Sequence, residues 1–582
     1  MQSSGTYRLI WILVCFVLAT GLIFPPLMDY DAAEYAGIAM TMYQRNDWLN
    51  IINRQYAGGA LYDYLDKPHM LFWSAMAGFK IFGINQIGYR FFSVLLSLAA
   101  AYATGRLGTH LYNKHVGKWA ALMFITAQAI LLANHDVRTD SLLTSFVILS
   151  IWQLVLFIDT KKWLPLCTGF IFLALAVGTK GMIAALTTGC VLFFYMVGKK
   201  DWKGIFNWKW LVGGVFFMAG LAPFLYAYYL QFDQHPEKFV NGSFGTSGVK
   251  FLLWSQSFER FAGDRSFTNS PEFSFFYHTV LWAFLPWSIL LVLGVFNRGR
   301  ELFQTRFASF FQREQLTFAG VWVMFNIMSL SKFKLPHYLN ILFPLMAIFS
   351  AAYLWEIYRK HQAKLILNLM KTHRVLIGLL LAALIIIITW AFPLENLLIF
   401  LCGMVMLSFI LYINRLKFSV MPDRLILFTA AGALLVNFIL NTQFYPQLGK
   451  YQSGNTMAAQ IRESKLDPSS VYIYGTVVRT FDFYSGRYVP MLDSAGIRKE
   501  LEAGKSIYIF TPAPYGDSLL LQYPKARTFL TGPDKHITRL KISFLDPKKR
   551  MKDLPSCRVF SLEPAILVAD TLTVAMKQAD IK

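Results

Sequence analysis

Charge is scarce in this sequence. Only 15% of its 582 residues are Asp, Glu, Lys or Arg, against roughly 25% in an ordinary soluble chain. That shortage excludes a disordered protein and argues against a cytosolic enzyme. Cysteine is scarce too. There are 5, of which Cys15, Cys167, Cys190 and Cys402 lie in apolar runs and Cys557 stands alone, so a disulfide scaffold is excluded. Acidic residues are outnumbered, 33 against 55 Lys and Arg. The sequence shows no internal repeat, and its tail has neither a Gly-rich phosphate loop nor a nucleophile elbow. What is abundant is apolar: 55% hydrophobic residues, 52 Phe, 15 Trp and a mean hydropathy of +0.44. These numbers describe a polytopic membrane protein.

A spanning helix needs about 20 mostly apolar residues. Thirteen stretches qualify, near 8–26, 90–112, 117–133, 141–158, 163–179, 182–198, 209–231, 274–296, 315–331, 338–356, 375–393, 397–414 and 424–440. Every second short connection is basic, for example Lys161 and Lys162, Lys199 to Lys209, and Arg415 to Arg424. Cytoplasmic loops carry the Lys/Arg excess. The N-terminus is therefore expected in the cytoplasm, with the first stretch retained as an anchor. The odd count then puts the tail on the periplasmic side of a bacterial inner membrane. On this reading the net charge of +22 marks topology and contact with membrane lipid, not nucleic-acid binding.

Three outer segments are too long to be turns: 27–89, 232–273 and the tail from 441 to 582. Long loops in compact proteins are usually functional or form a domain. Helical spacing of apolar residues predicts helices over Asp31–Tyr43 and Met70–Phe82, lying in the interface plane, with Asp29 or Asp31 as the cap of the former. The expected architecture is a membrane domain over 1–440 followed by a small α/β domain over 441–582. In that tail, helix is expected over Met457–Lys465 and Ala495–Ala503. Strands are expected at Val471–Tyr474, Ser506–Phe510, Leu540–Leu545 and Cys557–Leu562, in a partly parallel sheet.

Ionisable residues beside a membrane are costly and so point to function. On the outer side they fall in five segments: Asp29, Asp31 and Glu34; Asp63, Asp66 and Lys67; Asp136, Arg138 and Asp140; Lys180; and Lys332, Lys334 and His337 with Tyr338. Lysine suits a phosphate, and a carboxylate suits an acceptor that must lose a proton. A charge that merely ends a helix is the plainer reading of any one of these, least so for Lys180 and Lys334, which are flanked tightly by apolar runs. Together they suggest a lipid-phosphate substrate. A transporter or lipid flippase is the alternative. It would place polar groups near the bilayer midplane in repeated halves. A third alternative, a membrane-anchored receptor with a ligand-binding tail, leaves the charged first loop unexplained.

These segments resemble a family. Asp31-Ala-Ala-Glu-Tyr-Ala-Gly-Ile-Ala39, Tyr64-Leu-Asp-Lys-Pro-His-Met-Leu-Phe-Trp73 with Arg90 after it, Arg138-Thr-Asp-Ser141, Thr179-Lys-Gly181 and Lys334-Leu-Pro-His-Tyr338 occur in order. Glu259-Arg-Phe261 and Pro286-Trp287 fit as well. The chain resembles the integral-membrane GT-C glycosyltransferases related to bacterial aminoarabinose–lipid A transferase and to protein O-mannosyltransferases. The resemblance covers residues 8 to about 440. It implies a GT-C fold and an inverting transfer of a sugar from a polyprenyl-phosphate donor to a lipid A-like or protein acceptor at the outer face. It implies Asp31 as the catalytic carboxylate and Asp140 as a second acid at the site. Lys67, Tyr64, Lys180, Lys334 and Tyr338 are the implied donor-phosphate contacts, and Asp66 is a possible ligand for a divalent cation. Two departures stand out. Ala32 and Glu34 occupy positions where aminoarabinose transferases usually have Glu and Arg. The family's second-loop His has no counterpart in Phe267–Pro271, which leaves His69, His235 or His278 as substitutes.

Overall fold

In a computed structural model the apolar stretches named above all fall on helix. The structure describes residues 2–263, 271–312, 314–535, 537, 540–552 and 554–564. The first four helices are α1 (Gln2–Ile23), α2 (Asp31–Arg45), α3 (Met70–Phe82) and α4 (Gln86–Leu111). They are followed by α5 (Lys114–Ile125), α6 (Gln128–Ala133), α7 (Thr139–Thr160) and α8 (Trp163–Lys180). Among the described residues, nine helical segments are long and apolar enough to cross a membrane. That is fewer than the thirteen stretches read from hydropathy. The others are short helices, such as Ile183–Gly198 and Leu316–Leu330, or are broken.

Two of the breaks repair each other. The 274–296 stretch divides into Phe275–Ala283 and Ser288–Gln304 around Leu285-Pro286, where proline has no N–H to give. The 117–133 stretch divides at Thr126 into α5 and α6. The Gln128 N–H donates to the Leu285 carbonyl at 2.9 Å, and the Trp287 indole N–H donates to Thr126 Oγ1 at 3.0 Å. Polar backbone freed inside a bundle must find such partners.

The bundle is graded in cover. The Met421–Gly449 segment and α7 are almost wholly enclosed by protein, whereas Ala363–Ala391 and Leu397–Arg415 leave most of their apolar surface open. Surface of that kind belongs against lipid. α7 packs between α4 and α8, and α1 packs on the Met421–Ile439 helix. At the end of the bundle opposite α2, Tyr7 and Trp119 both donate to Asp423, each at 2.8 Å, and lock α1, α5 and that helix together. The α3–α4 corner is tight: a Cβ on Gly78 would lie 1.9 Å from the Gly88 carbonyl oxygen, so only glycine fits there.

The 27–89 segment carries α2, α3 and a two-stranded hairpin of β1 (Ile52–Arg54) and β2 (Leu61–Asp63). The second long loop holds a shorter hairpin, β3 (Phe239–Val240) with β4 (Ser243–Phe244). α2 does not lie free in an interface. Ala32, Ala33, Tyr35, Ala36, Ile38, Ala39 and Met40 are all buried, against α3 on one side and the Arg479–Tyr484 helix of the tail on the other. Its N-cap is Tyr30, with no side-chain cap. Asp29 and Asp31 are engaged elsewhere.

The tail carries both helix and strand. Its sheet runs β5 (Val471–Ile473), β6 (Ile507–Pro512), β8 (Ser556–Leu562), β7 (Arg527–Pro533) in spatial order, with β5 and β6 parallel and the other pairs antiparallel. Helices Ser453–Glu463 and Ser494–Glu502 fall where spacing predicted them. Leu540–Leu545, expected as a strand, instead contains a short helix, Ile542–Leu545, in which Phe544 alone is buried. β7 and the Ala513–Gln522 helix were not anticipated.

Candidate active site

Helix ends bring the charged segments together. Asp31 is the first residue of α2, Asp140 stands in the first turn of α7, and Lys180 is the last residue of α8. Carboxylates at N-termini and a lysine at a C-terminus each suit the helix dipole. Gly181, at φ +75°, stops α8 directly after Lys180, and a Cβ there would meet Gln256 at 2.9 Å. This accounts for the Thr-Lys-Gly motif. Pro68 biases Lys67 toward extended backbone just before α3. Pro336 opens the short helix that carries His337 and Tyr338.

Arg90 fixes the frame. Wholly buried in α4, it donates to the carbonyls of His135 (2.8 Å), Pro25 (2.6 Å) and Pro26 (2.9 Å), with longer bonds to Gly21 and Leu22. One guanidinium thus holds the chain that leads into Asp31 and the chain that leads into Arg138 and Asp140.

The charged groups surround a cavity of about 190 Å³, with Asp31, Glu34, Asp66, Lys67, Arg138 and Asp140 in its wall. Lys180, Arg260, His337 and Tyr338 complete it. Lys180 Nζ donates to Asp140 Oδ1 at 2.6 Å and lies 3.9 Å from the centre of the Tyr338 ring. His337 Nε2 is 3.5 Å from Asp140 Oδ2. Arg138 bridges Asp31, at 2.6 Å, and Asp136, at 3.2 Å. Burial would disfavour its charge, but those two carboxylates outweigh it and hold the guanidinium well above its ordinary range. Asp66 receives both Lys67 Nζ and Arg260 Nη2, and the Tyr64 hydroxyl donates to it at 3.2 Å. Burial opposes ionisation of Asp66. The two cations prevail and keep its carboxyl below the ordinary range.

The tail domain reaches this wall. Glu34 accepts from Asn53 at 2.8 Å and meets Arg479 Nη2 at 3.4 Å. Burial raises the Glu34 carboxyl in spite of both. Thr480 donates to Asp29 at 2.9 Å, and Arg54 Nη1 pairs with the buried Asp482 at 2.8 Å. The helix that carries these three tail residues thus braces the start of α2.

The structure brings six of the expected residues to one cavity: Asp31, Asp66, Lys67, Asp140, Lys180 and Tyr338. Two stand apart. Tyr64 is buried behind Asp66, and its ring packs edge-on to Phe72. Lys334 turns away to the carbonyls of Pro271 (2.9 Å) and Glu272 (3.0 Å). Arg260, Arg138 and Glu34 share the cavity without having been given roles from the sequence. Their signal was present, since Glu259-Arg-Phe261 and the Arg138 segment both belong to the motif set.

The donor set at Asp66 does not fit a resident divalent cation. Its carboxylate is shared by two side-chain cations, and among the described residues no group of three His, Cys, Asp or Glu gathers to hold a metal. His69 Nε2 bonds the Leu49 carbonyl, His235 faces Glu237 and His278 packs on Phe275. Most of the Phe267–Pro271 segment, where the family has its second-loop His, lies outside the described residues.

A second, apolar cavity of about 200 Å³ adjoins the first. Asp140, Lys180, Arg260, Phe333 and Tyr338 line both, while Leu143, Ile183, Leu186, Phe276, Ile327 and Met328 supply the apolar wall. The site is therefore amphipathic: a charged chamber opening beside a hydrocarbon-like one.

Similar sequences and a similar fold occur among known proteins. Residues 66–227 match the family described as dolichyl-phosphate-mannose-protein mannosyltransferase. A protein of Aquifex aeolicus (strain VF5) is 27% identical over 433 residues, which cover 73% of this chain and 77% of that one. An undecaprenyl phosphate-alpha-4-amino-4-deoxy-L-arabinose arabinosyl transferase of Pseudomonas fluorescens (strain Pf0-1) is 26% identical over 333 residues, 55% of each chain. The chain thus matches about half the length of that transferase. The fold matches that of ArnT from Cupriavidus metallidurans, solved with undecaprenyl phosphate bound. The TM-score is 0.68 at 16% identity, covering 96% of this chain and 98% of that one. In its ordered motifs and in its fold, the chain is similar to membrane glycosyltransferases of the ArnT-like GT-C kind.

Proposed function

We propose that the protein transfers a sugar from a polyprenyl-phosphate donor, with inversion, to a lipid A-like or protein acceptor at the periplasmic face of the inner membrane. One observation carries this reading. Lys67 and Arg260 share the single carboxylate of Asp66 in a charged chamber that adjoins an apolar one. A ligand with an anionic phosphate head and a hydrocarbon tail satisfies both halves at once.

The chemistry follows from the wall. An acceptor hydroxyl attacks the anomeric carbon. Its new C–O bond forms as the bond from that carbon to the phosphate oxygen breaks, and polyprenyl phosphate leaves with the electron pair. Lys67 and Arg260 stabilise the charge that grows on the leaving phosphate. Asp31 accepts the acceptor's proton, and Arg138 orients the Asp31 carboxylate. An acceptor that is itself a phosphate is already ionised and needs the base far less. Tyr64 acts through Asp66 as a positioning residue. Asp140 and Lys180 form a buried pair between the two chambers. A flippase reading is less well supported, because the charged groups sit at helix ends rather than along the middle of the bundle.

The test is transfer of label from a radiolabelled polyprenyl-phosphate sugar by the purified protein in nanodiscs. Lys67→Ala should abolish transfer while folded protein is retained in detergent. Loss of folded protein, or full transfer by the variant, would sink the assignment. Bound lipid identified by mass spectrometry gives the independent readout: a lipid other than a polyprenyl phosphate in the chamber would overturn the donor class.

A further inference from the structure

The largest cleft described on the tail side lies away from the catalytic cavity and shares no residue with it. It measures about 660 Å³ and is enclosed by the α3–α4 corner on one side and the tail domain on the other. Its walls carry two arginines, Arg462 and Arg487, and no carboxylate. Among the described residues neither arginine takes part in an ion pair. Arg487 is half-buried and is anchored through Nη2, which donates to the carbonyls of Pro468 and Val471. That leaves the rest of a planar guanidinium for a ligand.

The remainder of the cleft is apolar where it meets the bundle. Ile84 and Ile87 line it at the start of α4, and Ile461 and Leu466 face it from the tail. Beside it runs an uncovered apolar rim. Ile81 is 60% exposed at the end of α3, and Phe82, Ile23 and Phe24 are also exposed. Gln86 ties the two ends of this rim together: it lines the cleft and donates to the Ile23 carbonyl at 2.7 Å. Exposed Phe and Ile at the end of spanning helices belong against acyl chains. Asp467 and Asp482 act on Arg487 without forming an ion pair with it, and two such arginines in a cleft beside this rim match an anionic headgroup, because a guanidinium binds phosphate oxygens in a bidentate fork.

We propose that this cleft is a second lipid-phosphate site. It takes the headgroup of an anionic phospholipid from the leaflet facing the tail, between Arg462 and Arg487, with the acyl chains along Ile23, Phe24, Ile81 and Phe82. Such a lipid clamps the tail domain to the α3–α4 corner. Because the Arg479–Tyr484 helix joins the cleft, through Tyr484, to the start of α2, through Thr480 and Asp29, the site stands next to the brace of the catalytic loop. The proposal does not depend on which donor the catalytic cavity takes.

The experiment is native mass spectrometry of the delipidated full chain, titrated with phosphatidylglycerol and, separately, with phosphatidylcholine of the same acyl chains. Phosphatidylglycerol should bind preferentially. Each arginine removed should weaken it about fivefold, the order expected for one basic residue at an anionic surface. Lys67→Ala, which alters the catalytic cavity, should leave this binding intact. Arg487 also fixes the Pro468 turn, so Arg462→Gln, on an exposed side chain, is the decisive variant if Arg487→Gln does not fold. Equal binding of the two lipids would overturn the proposal. So would phosphatidylglycerol binding that survives Arg462→Gln undiminished or disappears with Lys67→Ala. Soluble glycerol 3-phosphate serves as the competing probe. If it displaces phosphatidylglycerol at comparable concentration, the cleft reads a free phosphate and the lipid assignment falls.

Discussion

Asp29 should make the joint between the membrane domain and the tail sensitive to pH. Its carboxyl is buried two residues before Asp31, with Oδ2 accepting from Thr480 and its backbone N–H donating to Gln452. Burial is the main force on it and pushes its pKa up to about 7, with Asp534 adding to the rise and with Thr480 and Arg479 opposing it. A carboxyl whose folded pKa lies above its ordinary value favours folding while it is protonated. That contribution is complete below about 3.8 and is lost as pH rises through about 7. At about 1.4 kcal/mol per tenfold, moving from 3.8 to about 7 amounts to about 4 kcal/mol as an upper bound. Asp29→Asn imitates the neutral acid in nearly the same shape. It should match the wild type near pH 4 and become progressively more stable from there to pH 7. Above pH 7 the gap should level off. In a thermal melt of the 582-residue chain followed by tryptophan fluorescence at pH 8, that is a Tm higher by up to roughly 3 °C. Transfer activity should be largely kept. If the variant melts at the same temperature as the wild type at pH 8, or lower, Asp29 is ionised without cost in the fold and the reasoning fails.

Asp31→Asn should lower turnover by at least about 10²-fold with donor binding largely kept, measured as kcat against KM, because general-base assistance is worth roughly 10²–10⁴-fold. Asp140→Asn should cost about 3–5 kcal/mol in stability by leaving the buried Lys180 without its partner, and the double variant with Lys180→Met should recover much of that loss in a melt. In a polyprenyl-phosphate titration, Arg260→Gln should weaken binding far more than Lys180→Met does; the reverse order would move the phosphate to the Asp140 side of the chamber. Reporter fusions at residues 300 and 450 should give opposite signals, since the basic loops face the cytoplasm, and equal signals would mean the span count is wrong.

Much of the site was legible in the sequence because its parts sit at helix ends. α2, α3 and the tight stop after Lys180 are set by local spacing, by proline and by glycine, and all three can be read along the chain. Which charge pairs with which cannot be read that way. Lys334 and Lys180 have the same kind of surroundings in sequence, yet one meets carbonyls of the Pro271 turn and the other meets Asp140 across a helix crossing. The spans fail for a related reason. Hydropathy sees 274–296 as one run, and the cross-bond between Gln128 and Leu285 helps the helix break there without stranding its backbone. In the tail, β7 ends in Gly532-Pro533 and is mostly exposed or half-exposed, so it reads as a turn. It is a strand because β8 lies beside it.

The distribution of charge in the chamber argues for where an anion goes. Asp140 has Lys180 at 2.6 Å, a pair close to neutral before any ligand arrives, and Asp31 shares Arg138 with Asp136, at 2.6 and 3.2 Å, which leaves no cation in surplus there. Glu34 draws its cation from outside the membrane domain, from Arg479 of the tail. Asp66 alone holds two cations, Lys67 and Arg260. The surplus positive charge is therefore concentrated at one corner. A phosphate entering there gains two guanidinium or ammonium contacts without breaking a neutral pair, whereas one entering at Lys180 must compete with Asp140. The same corner adjoins the apolar chamber through Arg260, so the hydrocarbon tail and the phosphate of one donor can be held together. The surplus of cations at Asp66 follows from how five carboxylates, Asp31, Asp136, Asp140, Asp66 and Glu34, divide four local cations and one borrowed from the tail.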